Sequence, residues 1–174
     1  MDSSTPPPVD APLPPVPRLE TLETIAEQLA AIDLLVSLAQ RSIRVFDIDL
    51  SDMGWNSAAR NDALSRFLRS SRRASVEIIV HDTRYLERSC ARLRALQRRN
   101  SEAISIFRTG AEVRGARDPM VIVDARHFLH RFNVEHARAA LGIEQPREAQ
   151  GLGLRFADLW ASREGELPAT TLGL

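Results

Sequence analysis

The chain has 174 residues, of which 44% are hydrophobic and 26% charged, a composition typical of one soluble domain with its own core. Its 23 basic residues, all arginine, balance 23 acidic residues, so no net field draws the chain toward nucleic acid or a membrane surface. One cysteine excludes an intramolecular disulfide and a thiolate-rich metal site, and the lack of a signal-peptide pattern or of an apolar run of about 20 residues predicts a cytoplasmic protein without a membrane partner.

Proline dominates the start of the chain, where residues 1–17 hold seven of the ten prolines. Because proline fixes φ and lacks an N–H, we predict a disordered tail over residues 1–20. Hydrophobic periodicity then begins, so we predict one α/β domain over residues 21–164 and a flexible tail over residues 165–174.

Segments with helical and strand periodicity alternate through this domain. Helices are predicted at residues 21–40, 61–71, 83–100 and 146–162, and strands at residues 43–49, 76–80, 103–107, 120–123 and 126–132. The first helix carries Thr24 and Glu27 at the spacing of a capping box. Residues 133–143 fit either a loop or a further strand.

The early alternation of strand and helix favours parallel pairing through right-handed crossovers. Met120–Val123 is apolar on both faces, which is typical of a central strand. The next strand follows too soon for a crossover helix, so these two strands are expected to form an antiparallel hairpin. The predicted fold class is therefore α/β, with a mixed, mainly parallel sheet and helices on both faces.

Polar side chains follow several of the predicted strands. Asp47 and Asp49 end the first strand, His81 follows the second, and Arg117 and Asp124 flank the fourth. If these strand ends share one rim of the sheet, the cluster would resemble a metal or acid–base site, although no residue is assigned as a metal ligand. The alternative is a set of ordinary strand-end residues facing water, with Asp124 as a hairpin-turn residue.

Arginines concentrate in residues 60–100, which hold eleven of them against four carboxylates. The predicted helix 84–99 carries Arg84, Arg88, Arg92 and Arg99, whose guanidinium groups could hold the phosphates of a nucleic acid or another ligand. Aromatic residues are 5% of the chain and hardly interleave with the arginines, so base stacking has little support. The alternative is a solvated face that pairs partly with the acidic N-terminal part.

Four parts of the chain resemble the phospholipase D superfamily, and the resemblance covers roughly residues 22–163. They are residues 39–45, residues 63–80, Met120–Asp124, and Phe156 with Trp160. The resemblance implies one phospholipase D-like half. The family's signature is His-x-Lys-x(4)-Asp-x(6)-Gly-x(2)-Asn, in which the histidine attacks phosphorus, the lysine neutralises phosphate and the aspartate orients catalytic histidines.

Only the aspartate of that signature is present. With Asp124 at its position, Arg117 stands at the histidine position, Pro119 at the lysine position, and Arg131 and Val134 at the glycine and asparagine positions. The chain contains no lysine, and arginine cannot replace an attacking imidazole.

The resemblance therefore implies a degenerate bacterial member, a pseudoenzyme without a cofactor that serves as a binding or regulatory module for an unknown protein or phosphate-containing ligand. Nucleic-acid or phosphate binding through residues 84–99 is the first alternative. An unorthodox phosphodiester hydrolase using His81 and the rim carboxylates is another. An acetyltransferase-associated protein is a third, because Gln150-Gly151-Leu152-Gly153 resembles that family's coenzyme A loop. A homodimer is implied because single-motif members of the superfamily pair two copies.

Overall fold

An eight-stranded sheet forms the centre of the chain in the computed structural model, which describes residues 13–169. The strands are β1 (Arg18–Leu22), β2 (Ser42–Asp47), β3 (Ser75–Val80), β4 (Ile104–Arg108), β5 (Met120–Val123), β6 (His127–Arg131), β7 (Ala139–Ile143) and β8 (Glu164–Glu166), in the spatial order β1-β7-β6-β5-β2-β3-β4-β8. The helices are α1 (Ile25–Leu38), α2 (Ala58–Ser70), α3 (Arg84–Ser89), α4 (Ala91–Arg99) and α5 (Pro146–Ala161), with a 3₁₀ turn at Ala111–Val113.

The prediction of a mixed sheet with helices on both faces is confirmed, but the prediction that it is mainly parallel is wrong. β2, β3 and β4 pair in parallel through helical crossovers. The five other pairings in the described chain are antiparallel. For two of these pairings, β5–β6 and β6–β7, the reason is that the strands follow one another through connections too short for a crossover helix.

Both edges of the sheet are strands that the sequence did not predict. β1 pairs with β7, and β8 pairs with β4, so Arg18–Glu20 do not belong to the predicted tail 1–20, nor Gly165 and Glu166 to the predicted tail 165–174. Most of their side chains are exposed, so no buried alternation marks them, and backbone pairing holds them. The remainder of the two predicted tails includes residues 1–12 and 170–174, which lie outside the described residues.

Side-chain alternation along β2 assigns the two faces of the sheet to two cores. Ile43 and Val45 pack with α1, α2 and α4 in the larger core, whereas Phe46 packs with Phe156 of α5 on the other face. α1 begins with the predicted capping box, since Thr24 Oγ1 accepts the Glu27 N–H at 3.2 Å. No helix within residues 13–169 has both the length and the apolar character needed to cross a membrane.

The predicted arginine-rich helix 83–100 is two helices. Cys90, at φ −104° and ψ 49°, separates α3 from α4. The side-chain Oδ1 of Asn56 accepts the Arg92 N–H at 2.8 Å and so satisfies a free donor in the first turn of α4. This contact comes from a distant loop, which is why helical periodicity alone did not predict the break.

Candidate functional site

Four of the five predicted rim residues lie at one edge of the sheet. This edge is a row of strand ends, distinct from the outermost strands β1 and β8. We call it the carboxyl rim: it holds the C-terminal ends of β2 and β3 and the N-terminal end of β5. Asp47, Asp49 and His81 end the two parallel strands, and Arg117 precedes β5, which runs antiparallel to β2. Ligands of open α/β sheets commonly bind at such an edge.

Asp124 lies at the opposite edge, in the turn between β5 and β6. Its backbone has a positive φ of 53°, which aspartate tolerates better than most residues. Its carboxylate accepts the backbone N–H groups of Gln40 at 2.8 Å, Arg41 at 2.8 Å and Ser42 at 2.9 Å. The expectation that it joins a rim cluster is therefore wrong, and the structure assigns it the alternative role of a turn residue that fixes the entry to β2.

Asp47 points into the core on the α1 face of the sheet. Only 6% of it is exposed, and it lines a cavity of about 20 Å³ with Gln28, Trp55 and Arg131, which has room for roughly one water molecule. Burial raises the pKa of Asp47 to about 7, and the nearby carboxylates of Asp49 and Asp52 add to the rise, while the hydrogen bond from the Ile48 N–H and the charge of Arg131 lower it. The carboxyl is thus held largely in its neutral form at a pH below 7.

His81 faces the opposite side of the sheet from Asp47. Asp47 is opposite Val80 in the β2–β3 register, so the next residue along β3 points the other way. The imidazole packs edge-on against Phe46, its Nδ1 lies 2.6 Å from Thr109 Oγ1, and its Nε2 lies 2.7 Å from the Ala116 carbonyl oxygen. Both ring nitrogens are engaged, so this imidazole is not presented to a substrate or to the rim carboxylates.

The rim carries a charged cluster that the sequence did not reveal. Arg117 pairs with Glu135 at 2.9 Å, while the next residue, Asp118, accepts hydrogen bonds from His130 Nε2 at 3.2 Å and Arg155 Nε at 2.5 Å. Burial acts to raise the pKa of Asp118, but these two hydrogen bonds outweigh it and lower the pKa to about 2. Asp118, His130 and Arg155 are far apart in the sequence. The alternation of side chains along β6 puts His130 on the α5 face, and that was the only signal of the cluster in the sequence. Its charges are satisfied internally, and it ties α5 to the rim.

The four candidate anion-binding arginines are divided between α3 and α4. Arg84 and Arg88 line an open depression of about 350 Å³ beside Asp49 and Asp82. Arg84 is already committed, because its Nε lies 2.8 Å from Asp82 Oδ2, and that hydrogen bond lowers the pKa of Asp82 to about 2. Arg92 and Arg99 are exposed on α4. The four therefore do not form one continuous helix face.

A wider arginine surface extends over α2, the loop after it, α3 and α4, and α4 packs against both other helices. Between residues 66 and 99, eight exposed arginines form no ion pair with any other described residue: Arg66, Arg69, Arg72, Arg73, Arg88, Arg92, Arg98 and Arg99. The expected pairing with the acidic N-terminal part is limited here to buried Arg60, whose Nη2 lies 2.9 Å from Asp33. The surface thus keeps its positive charge available to a ligand.

Two further expected sites, a coenzyme A loop and a metal site, are not formed by the described residues. Gln150-Gly151-Leu152-Gly153 lies inside α5 rather than in a loop before it, so its backbone N–H groups cannot form the expected coenzyme A loop, and the acetyltransferase hypothesis is wrong on this point. Within residues 13–169, no three histidine, cysteine, aspartate or glutamate side chains converge as metal ligands would.

Comparison with known proteins shows where this fold recurs. A family model described as a domain of unknown function (DUF7931) matches residues 24–167, and no curated protein matches the chain. Among solved structures, Nuc from Salmonella typhimurium, a phospholipase D family member, superposes with a TM-score of 0.64 and 15% identity over 88% of this chain and 99% of Nuc. Phosphatidylserine synthase from Haemophilus influenzae Rd KW20 superposes with a TM-score of 0.57 and 15% identity, over 90% of this chain and 40% of the synthase.

A third similar structure is TrmBL2, described as an archaeal chromatin protein with a novel mode of DNA binding. It superposes with a TM-score of 0.64 and 13% identity over 90% of this chain and 55% of TrmBL2, so this chain spans about half the length of that protein. At these identities the similarities show the fold alone, and they confirm the expected phospholipase D-like architecture.

Proposed function

Since the chain belongs to the DUF7931 family and has a phospholipase D-like fold, we propose that it is a non-catalytic module of that fold which binds the phosphate backbone of nucleic acid. The observation that carries the proposal is the set of eight exposed arginines on α2, α3, α4 and the loop after α2 that have no acidic partner among the described residues. An arginine in an ion pair must give up its carboxylate before it can hold a phosphate, and these eight need not.

The rim supports the non-catalytic part of the proposal. The positions of the attacking histidine and the lysine hold Arg117 and Pro119, and Arg117 is paired with Glu135. His81 follows the last residue of the parallel strand β3, and both of its ring nitrogens are hydrogen-bonded within the fold. The other imidazole at the rim, His130, is held through Nε2 by Asp118. A covalent phosphoryl transfer needs a free nucleophile and a base to activate it, and neither the two signature positions nor His81 supplies one.

The chemistry of the arginine surface favours a phosphate backbone over other anions. A guanidinium group can donate two parallel hydrogen bonds to a phosphate, and a row of exposed arginines suits a ligand whose charges repeat. TrmBL2, which shares the fold, is described as binding DNA. Tyr85 is the only exposed large aromatic residue on the described parts of α2–α4, so base stacking contributes little and we expect binding with weak sequence preference.

The finer setting of the module belongs to the same proposal. A basic complement made only of arginine fits a GC-rich bacterial genome, and a single buried cysteine fits a reducing cytoplasm. Assembly as a homodimer stays a prediction from the resemblance, as does a regulatory role through a protein partner.

Fluorescence anisotropy with a labelled DNA duplex, titrated at several salt concentrations, tests the proposal. If half of the eight arginines contact phosphates, the plot of log K against log salt has a slope of roughly −3.6. The matched variants are Arg99→Glu, on the arginine surface, and Arg147→Glu, which makes the same charge change on exposed α5. We expect the first to weaken binding and the second to leave it near the wild-type value. No binding at low salt, or a slope near zero, would contradict the proposal.

A further inference from the structure

The N-terminal ends of β2, β3 and β4 share one edge of the sheet, opposite the carboxyl rim, which we call the amino edge. Backbone hydrogen bonds fasten the loops there to one another. The Ser75 N–H donates to the Arg41 carbonyl at 3.0 Å, and the Val76 N–H donates to the Ala103 carbonyl at 2.8 Å. The loops that precede the three parallel strands therefore lie side by side, at the strand spacing of about 5 Å.

Six arginines lie on these loops or in the helical turns that lead into them. They are Arg41, Arg69, Arg72, Arg73, Arg98 and Arg99, and we call them the amino-edge cluster. All six are exposed, and none forms an ion pair with a described residue. Two carboxylates lie in neighbouring loops: Asp124, which accepts three backbone N–H groups, and exposed Glu102 before β4. Neither forms an ion pair with these arginines, and together they leave the edge with an excess of positive charge.

At the carboxyl rim, by contrast, several arginines are held in ion pairs. There Arg84 pairs with Asp82, Arg117 with Glu135, and Arg155 with Asp118. A phosphate arriving at the rim would compete with these carboxylates, whereas the amino-edge arginines are held in no ion pair with a described residue.

Helix dipoles account for part of the cluster only. Arg69, Arg98 and Arg99 lie in the last turns of α2 and α4, where a cation is favourable even without a ligand. Arg72 and Arg73 lie beyond the end of α2, and Arg41 lies in the loop after α1, outside the turn over which the dipole acts. Three adjacent unpaired cations in strand-leading loops need another explanation.

We infer that the amino-edge cluster, and not the carboxyl rim that a phospholipase D-like fold would suggest, is the surface that contacts the nucleic-acid backbone. This inference rests on the proposed function and adds the location of the ligand. Charge and hydrogen bonding from arginine determine such contacts, so single and double strands both bind, and the duplex gives the steeper salt dependence.

Two variants of the full chain with the same charge change separate the two edges. The edge variant is Arg72→Glu/Arg73→Glu. The rim variant is Arg108→Glu/Arg114→Glu, at the C-terminal end of β4 and in the loop before β5. All four residues are exposed and form no ion pair with a described residue. Circular dichroism and thermal melting establish that both variants are folded, and Arg72→Gln/Arg73→Gln replaces the edge variant if the charge reversal prevents folding.

Anisotropy with the labelled duplex gives the result. The edge variant is expected to bind at least about tenfold more weakly, with a salt slope shallower by about 2, and Arg72→Lys/Arg73→Lys to retain most of the affinity. The rim variant is expected to stay within about threefold of wild type. Equal losses in both variants, or a larger loss at the rim, would overturn the inference and leave the proposed function standing. A wild-type chain that does not bind the duplex would overturn both.

Discussion

Asp47 places a carboxyl group in the core, and replacing it with asparagine should change how the stability of the protein depends on pH. Its pKa is raised from the ordinary value of 3.8 to about 7, first by burial and then by the charges of Asp49 and Asp52. Gln28 Oε1, a buried acceptor without a hydrogen-bond partner among the described residues, lines the same cavity. A protonated carboxyl or an asparagine amide could supply a donor there, and a carboxylate could not.

The sign of the effect follows from the raised pKa. Between pH 4 and pH 7 the folded state holds a proton on Asp47 that the unfolded state has released, so stability falls as the pH rises. The shift of about 3 pH units corresponds to ~4 kcal/mol lost across this window, at about 1.4 kcal/mol per pH unit. Because a domain is stable by only about 5–15 kcal/mol, this loss is large enough to measure.

Urea unfolding followed by tryptophan fluorescence is a suitable assay, since Trp55 is buried beside the same cavity. Wild type and Asp47→Asn are compared from pH 4 to pH 8.5, with Asp62→Asn on the exposed side of α2 as the control. We expect Asp47→Asn to gain stability relative to wild type as the pH rises, by up to ~4 kcal/mol, and Asp62→Asn to follow wild type. A difference between wild type and Asp47→Asn that stays constant over this range would refute the account of Asp47.

Two further predictions concern the turn at Asp124 and the carboxyl rim. Asp124→Ala removes the acceptor of three backbone N–H groups and places alanine at a positive φ. We therefore expect the free energy of unfolding, measured with denaturant, to fall by ~2 kcal/mol, and by less for Asp124→Asn. An alanine variant as stable as wild type would show that the turn contacts are dispensable. Purified wild type incubated with a chromogenic phosphodiester and added divalent metals is expected to show no turnover, and turnover that disappears in Arg117→Ala would contradict a non-catalytic rim.

The centre of the fold was readable from the sequence because burial leaves a strong pattern there. Met120–Val123 is apolar on both faces and lies in the middle of the sheet, and the capping box at Thr24 marks where α1 begins. The edge strands β1 and β8 left no such pattern, since exposed side chains say nothing about backbone pairing. The break at Cys90 depends on Asn56 in a distant loop, which periodicity cannot register.

The candidate site was harder to predict than the fold, for two geometric reasons. Asp47 and His81 both end strands, but the register of β2 and β3 turns their side chains to opposite faces of the sheet. Asp124 ends an antiparallel strand, so it lies at the other edge from Arg117. The density of arginine in residues 60–100 was visible in the sequence, whereas their freedom from acidic partners required the contacts of the folded chain.

The most direct test of the central claim is the salt dependence of duplex binding, compared between wild type and Arg72→Glu/Arg73→Glu under identical conditions. Phosphate contacts through free arginines predict a steep wild-type slope, roughly −3 to −4, that becomes shallower by about 2 in the variant. A wild-type affinity that does not respond to salt, or that is absent at low salt, would contradict a phosphate-binding role for this domain.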